Sequence, residues 1–246
     1  MSYGYGYGYD SFTRLSMDEL RSKAHRTIAE LSKKGDELEP VVITGRKITA
    51  TWWGDAWCNN LERYADYANR IDRGKRYVRA ECVIDLKIAP GQITALVIGT
   101  RKTPYKIDVS VKPMSKELYQ DIINRCSARA ASLEALAAGD FPEELKEQLF
   151  AKNNGIFPSP KEISLKCSCP DGAYLCKHIA AALYAVGSKL DTEPLLLFTL
   201  RGIDTGALIK RTVEEKLSAM LANANKPSPR ILDANQEQLT TLFGVL

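Results

Sequence analysis

No stretch of this chain approaches 18 uninterrupted apolar residues, so nothing in it has the length to cross a membrane as a helix. The N-terminus lacks the charged start, apolar run and small-residue cleavage site of a secretory signal, and a cytoplasmic protein is expected. The phosphate loop GxxxxGK[ST], the nucleophile elbow GxSxG and the metalloprotease HExxH are all missing. There is no CxxC for thioredoxin-like redox work, and only two histidines, His25 and His178, occur. These absences leave no acid–base pair and no nucleophile with a partner, so no enzyme and no small-molecule substrate are expected. Charge of one sign is also scarce: 34 basic against 30 acidic residues leave +4, which permits a nucleic-acid partner without requiring one.

What is present is the composition of a folded protein. Of 246 residues, 45% are hydrophobic, enough to bury a core without covalent or metal staples. No internal repeat is visible. Residues 1–15 open on Tyr-Gly repeats with nothing to pack, and are expected to be a flexible tail. Residues 16–152 read as an α+β region. Ser16 with Glu19 is a capping-box signature, followed by Leu20, Ala24, Ile28 and Leu31 at helical spacing up to Gly35. A second helix is expected to start near Asp55 and carry Trp57, Leu61, Tyr64, Ala65 and Ala68 on one side. The three tryptophans, Trp52, Trp53 and Trp57, are expected in the core.

The stretch NRIDRGKRYVR that follows is basic and punctuated by Gly74. Beyond it, AECVIDLKIAP, ITALVIGTR and YKIDVSVKP alternate well enough to predict three antiparallel strands. Residues 115–152 are expected to form two helices split near Gly139. Residues 153–190 contain a short strand, a turn and a helix over 177–188 closed by Gly187. The C-terminal region, 191–246, is expected to hold helices starting near Thr205 and Asp233 on either side of the breaker run NKPSP. The fold class that emerges is α+β: a small antiparallel sheet with flanking helices, a Cys3His module and C-terminal helices.

The sharpest chemical signal is KCSCPDGAYLCKHIAAAL. Cys167 and Cys169 lie two apart, so in an extended strand both sulfurs point to one face. Pro170, Asp171 and Gly172 supply a tight turn, and Cys176 and His178 return two further ligands. Three thiolates and an imidazole suit tetrahedral Zn2+ with no vacant position, which means a structural site rather than a catalytic one. The other cysteines, Cys58, Cys82 and Cys126, stand singly among apolar or helical neighbours and read as buried thiols.

The spacing CxC, six residues, CxH resembles that of the SWIM zinc finger. The upstream segments WWGDAWCNNLE, YANRIDRGKRYVR and GTRKTPYKIDVSV also resemble the N-terminal half of bacterial and archaeal SWIM zinc finger proteins. The resemblance implies a zinc module used for DNA binding or protein association, often alongside helicase-like remodelling or translocating ATPases. A basic, tyrosine-interleaved stretch offers a surface for such a role: Arg70, Arg73, Lys75, Arg76 and Arg79, with Arg101 and Lys102 extending it if the strands lie beside that helix. The finger itself contributes Lys161, Lys166 and Lys177. The alternative is that the arginines pair internally with Glu62, Asp66 and Asp72, leaving a protein-interaction scaffold organised by structural zinc.

Overall fold

The computed structural model describes residues 15–63, 65, 66, 68–129 and 155–204, together with scattered helical positions between 206 and 222. By its contacts the chain divides into two units, Met1–Thr205 and Gly206–Leu246.

In the first unit the elements run α1 (Met17–Ser32), α2 (Trp52–Glu62), α3 (Ala68–Arg79), β1 (Val83–Ala89), β2 (Gln92–Val97), β3 (Tyr105–Val111), α4 (Lys116–Arg129), β4 (Ile163–Cys167), α5 (Lys177–Thr192) and α6 (Leu196–Leu200). The four strands form one antiparallel sheet in the order β1-β2-β3-β4. The expected meander is β1 to β3. Pro90 and Gly91 close its first hairpin, with Gly91 at φ 71°, a value that glycine adopts without steric cost. Alternation places Ile107, Val109 and Val111 inside and Lys106 and Ser110 outside. The finger strand is the fourth member of the same sheet: Cys167 lies opposite Ile107 and Ile163 opposite Val111. The free edge of β1 is covered by residues 39–41, which exchange backbone hydrogen bonds with Val83 and Leu86.

The core centres on α5, which buries 11 residues around its circumference, as a helix that is apolar on every side must. It continues through Gly187 to Thr192, beyond the expected stop. Gly187 serves packing rather than capping: a Cβ there would meet Cys58 Sγ at 2.7 Å and Trp57 Cδ1 at 3.2 Å. Two of the three tryptophans of α2 fix this contact, since Trp53 Nε1 donates to Leu190 O at 2.8 Å and Trp57 Nε1 to Leu183 O at 2.8 Å, whereas Trp52, expected in the core with them, is only half-buried. Asp191 in turn accepts from the backbone of Ala50 and Thr51 at the start of α2.

Three further expectations change. Helix α2 begins at Trp52, where Thr51 caps it by accepting from Gly54 N, and ends at Glu62, so Ala65 and Ala68 are not on it. The basic stretch is itself a helix, α3, because Gly74 sits inside the helix where it crosses α5: a Cβ there would stand 2.5 Å from Ala180 Cβ. Helix α6 has no counterpart in the sequence reading. It delivers Arg201, 1% exposed, whose guanidinium donates to Glu162 Oε1 at 2.7 Å and Lys112 O at 3.0 Å.

The capping box of α1 is present in both directions, with Ser16 N to Glu19 Oε2 at 2.6 Å and Glu19 N to Ser16 Oγ at 3.1 Å. His25 on this helix is exposed and meets Glu81 Oε2 at 2.7 Å. The first of the helices expected in 115–152 is α4. The second, the one near Asp233, the Tyr-Gly tail up to residue 14, Tyr64 and the side chain of Cys126 lie outside the described residues. The helix expected near Thr205 coincides with helical positions between Gly206 and Ala222 in the second unit. Among the described residues no helix is long and apolar enough to cross a membrane.

Candidate metal centre

Strand β4 ends on Cys167, and Cys169 follows on the same side after Ser168 continues the ladder: Ser168 N donates to Lys106 O at 3.0 Å, and Lys106 N to Ser168 Oγ at 2.9 Å. The chain then turns through Pro170-Asp171-Gly172, with Ala173 N bonded to the Asp171 carboxylate. Cys176 occupies the N-cap of α5, and His178 lies in its first turn. One ligand atom from each of Cys167, Cys169, Cys176 and His178 falls within 4.8 Å of the other three. His178 faces the sulfurs with Nδ1, 3.9 Å from Cys167 Sγ and 4.0 Å from Cys176 Sγ.

These donors fit zinc. A tetrahedral ion with Zn–S of about 2.3 Å and Zn–N of about 2.0 Å spaces its ligands roughly 3.5–3.8 Å apart, so the observed cluster is close to closing on one. Protonation follows the crowding. The Cys176 thiol is held well below the ordinary range by hydrogen bonding from Cys167, which is itself pushed up by that same bond and by burial. Burial raises Cys169 and lowers His178, which favours the neutral imidazole that a metal ligand must be. Zn2+ bound here would be a structural ion with four protein ligands.

The upstream half of the chain builds the walls of this site. Tyr105 stacks on the His178 ring at 3.9 Å between centroids, and Tyr77 meets it edge-on at 5.6 Å. Gly99 leaves room for both, since a Cβ would approach Tyr105 Cε2 to 2.6 Å and His178 Nε2 to 3.1 Å. Lys23 of α1 fixes that loop by donating to the carbonyls of Gly99, Thr100 and Arg101. Asp66 accepts from Tyr174 N at 2.8 Å, and Arg70 pairs with Asp171 at 3.1 Å, so the metal loop is tied from two sides. Sequence reasoning did not reach Tyr77, Tyr105, Gly99, Lys23 or Asp66 as supports. Their partners are distant in sequence, and no spacing rule connects them.

The basic residues separate. Arg73 and Arg76 line a cavity of about 490 Å³ together with Tyr77, Tyr105, Lys177, Cys169 and His178. Lys75 and Arg79 line a different one of about 260 Å³, where Lys75 pairs with Glu62 at 2.8 Å. Arg70 is committed to Asp171. Arg101 is exposed but touches the metal loop, donating to Ser168 O at 3.1 Å, and Lys102 beside it is exposed. Burial lowers the Lys177 pKa, and nearby Arg73 adds to the effect. Cys58 and Cys82 are buried, and burial pushes both thiols up to about 12.

Comparison with known proteins places this geometry. The chain is 33% identical to the uncharacterized protein Rv2102 of Mycobacterium tuberculosis over 156 residues, 63% of this chain and 56% of that relative's length. No solved structure matches the chain. Residues 153–187 match the family model of the SWIM zinc finger, and the Cys3His cluster lies within them. This chain therefore carries a SWIM zinc finger, whose Cys3His cluster of Cys167, Cys169, Cys176 and His178 is placed to hold a structural Zn2+.

Proposed function

We propose that this protein is a non-catalytic nucleic-acid-binding module, DNA being the expected partner, that works beside a helicase-like remodelling ATPase. One observation carries the reading: half-buried Arg73 and Arg76 of α3 and exposed Arg101 of loop 99–104 lie against the zinc finger. Arg73 and Arg76 line the same cavity as Cys169 and His178, and Arg101 is hydrogen-bonded to the metal loop itself. Phosphate contacts need such a cluster on a fixed frame, and zinc supplies the frame. The ATPase rests on the resemblance alone.

The test is anisotropy of a labelled 5′-hydroxyl duplex titrated with zinc-loaded full-length protein across salt concentrations. Log affinity is expected to fall linearly with log salt, and Arg101→Ala with Lys102→Ala to reduce the slope by about one per residue. A salt-independent response, or none, overturns the proposal.

A second reading, a protein-docking adaptor, has its own observation. In the second unit Val213, Leu217, Met220 and Leu221 are 51%, 55%, 71% and 62% exposed at helical spacing, an apolar stripe of the sort that meets protein partners. Substituting Leu217 and Met220 by Gln separates the readings. It should leave DNA affinity unchanged while weakening any protein complex.

A further inference from the structure

The cavity beside the zinc centre has a charge pattern that the metal site does not account for. Its lining includes Arg73, Arg76 and Lys177, all half-buried, and Asp171 as the carboxylate. That carboxylate already belongs to Arg70, which reaches it through Nε at 3.1 Å and Nη2 at 3.3 Å. Among the described residues neither Arg73 nor Lys177 has a carboxylate ion pair, and Arg76 is positioned by donating to Leu15 O. Three thiolates and Zn2+ leave one negative charge on a Cys3His centre. With Zn2+ bound, three cations would face one negative charge, and two positive charges would stay uncompensated in a partly enclosed space. Half-buried like charges repel, and they hold together at lower cost when an anion joins them.

We propose that this cavity binds a phosphate monoester, a dianion at neutral pH, through Arg73, Arg76 and Lys177. A monoester carries close to two charges above its second ionisation near pH 6, matching the surplus, whereas a backbone diester carries one. Arginine pairs engage phosphate oxygens bidentately, and the lysine adds a point charge. Thr100 lies on the same wall. The volume of about 490 Å³ falls within the range of small-ligand sites, roughly 300–1,000 Å³, so a nucleoside can enter with its phosphate. Two sources present this chemistry: a free nucleotide, or the 5′-phosphorylated end of a strand. The zinc ion, closed by four protein ligands, takes no part in holding the anion.

Calorimetric titration of the zinc-loaded full chain with AMP, adenosine and inorganic phosphate tests the site, alongside a 5′-phosphorylated oligonucleotide and its 5′-hydroxyl twin. AMP is expected to bind at least about tenfold more tightly than adenosine, and Arg73→Gln or Lys177→Gln to erase that preference while zinc content stays stoichiometric. A matching preference for the 5′-phosphorylated strand identifies a strand end as the source; its absence, with AMP still preferred, identifies a free nucleotide. Either supports the site. Equal binding of AMP and adenosine in the unsubstituted protein, or a preference that survives both substitutions, overturns it. Duplex binding through Arg101 and Lys102 is measured with 5′-hydroxyl ends, so either reading can fail while the other stands.

Discussion

Among single side chains, Arg201 is the one whose role the local sequence hides most completely. It follows a short apolar helix and looks like a surface cation, yet it is 1% exposed and bonded to Glu162 and to the backbone just beyond β3. Removing one partner of such a pair leaves a charge short of its compensation. Because the Glu162 side chain is 32% exposed, Arg201→Ala is expected to cost about 3 kcal/mol, the low end for buried pairs, read from the urea midpoint. The pH dependence has a definite sign. Burial alone would raise the Glu162 pKa, but hydrogen bonds from Arg201 and Ser159 outweigh it and the value is lowered. A carboxylate lowered in the folded state stabilises the fold fully above its unfolded pKa, near 4.5, and loses that contribution as pH falls through the lowered folded value. The stability gap between the native protein and Glu162→Gln should therefore be widest near pH 6 and close towards pH 3. A constant gap would remove the ion pair from the account. The zinc ligands are the contrary case: their chemistry and i, i+2 spacing are local, and they were legible without any structure.

At the scale of elements, glycine decides how the helices approach one another. Gly74 reads as punctuation in a basic run, and Gly187 as a helix stop; both lie inside helices at crossings with no room for a methyl group. Helix propensity would favour alanine at Gly74 by up to about 1 kcal/mol, but a Cβ at 2.5 Å from Ala180 Cβ forces the helices apart, at about 1–3 kcal/mol. Gly74→Ala is thus expected to destabilise, and Ala180→Gly added to it to restore part of the loss; the double-mutant cycle reads the coupling. Additive effects would mean that α3 and α5 do not meet there. The same helical period explains the fate of the basic stretch. Residues 73 and 76 share one side of α3, while 75 and 79 share another, and the two sides face different cavities. Read as an extended segment, those cations form one patch; wound into a helix, they divide.

For the molecule as a whole, the question is how much of the first unit depends on zinc. The Trp53 and Trp57 bonds to α5 and the buried faces of β2 and β3 do not pass through the metal ligands. The loop from Ser168 to Leu175 is tied at its ends, by Ser168 to Lys106 and Arg101 and by Tyr174 and Leu175 to Asp66, with Tyr174 also reaching Ile163 O. Arg70 holds its turn through Asp171; the positions of Cys169, between these ties, and Cys176, just beyond them, are left to the metal. Chelation is therefore expected to release protection in that loop and the first turn of α5 while the amides around Trp57 and Leu183 stay protected, as hydrogen exchange would read. Exchange spreading at once through the whole unit would show the metal to be part of the global fold rather than a local tie.

The sequence by itself determined the zinc ligands, the capped first helix and the three-stranded meander, because each depends on residues within a turn or a strand of one another. Tertiary structure alone decided that the finger strand completes the sheet, that Tyr77, Tyr105 and Gly99 shape the seat of His178, that Arg201 lies buried against Glu162, and that the basic helix turns Arg70, Arg73 and Arg76 towards the metal centre but Lys75 and Arg79 towards another cavity. Those facts rest on contacts between residues tens of positions apart. Nothing in the local spacing encodes them, since it is the burial of α5 between helices and sheet that brings the partners together.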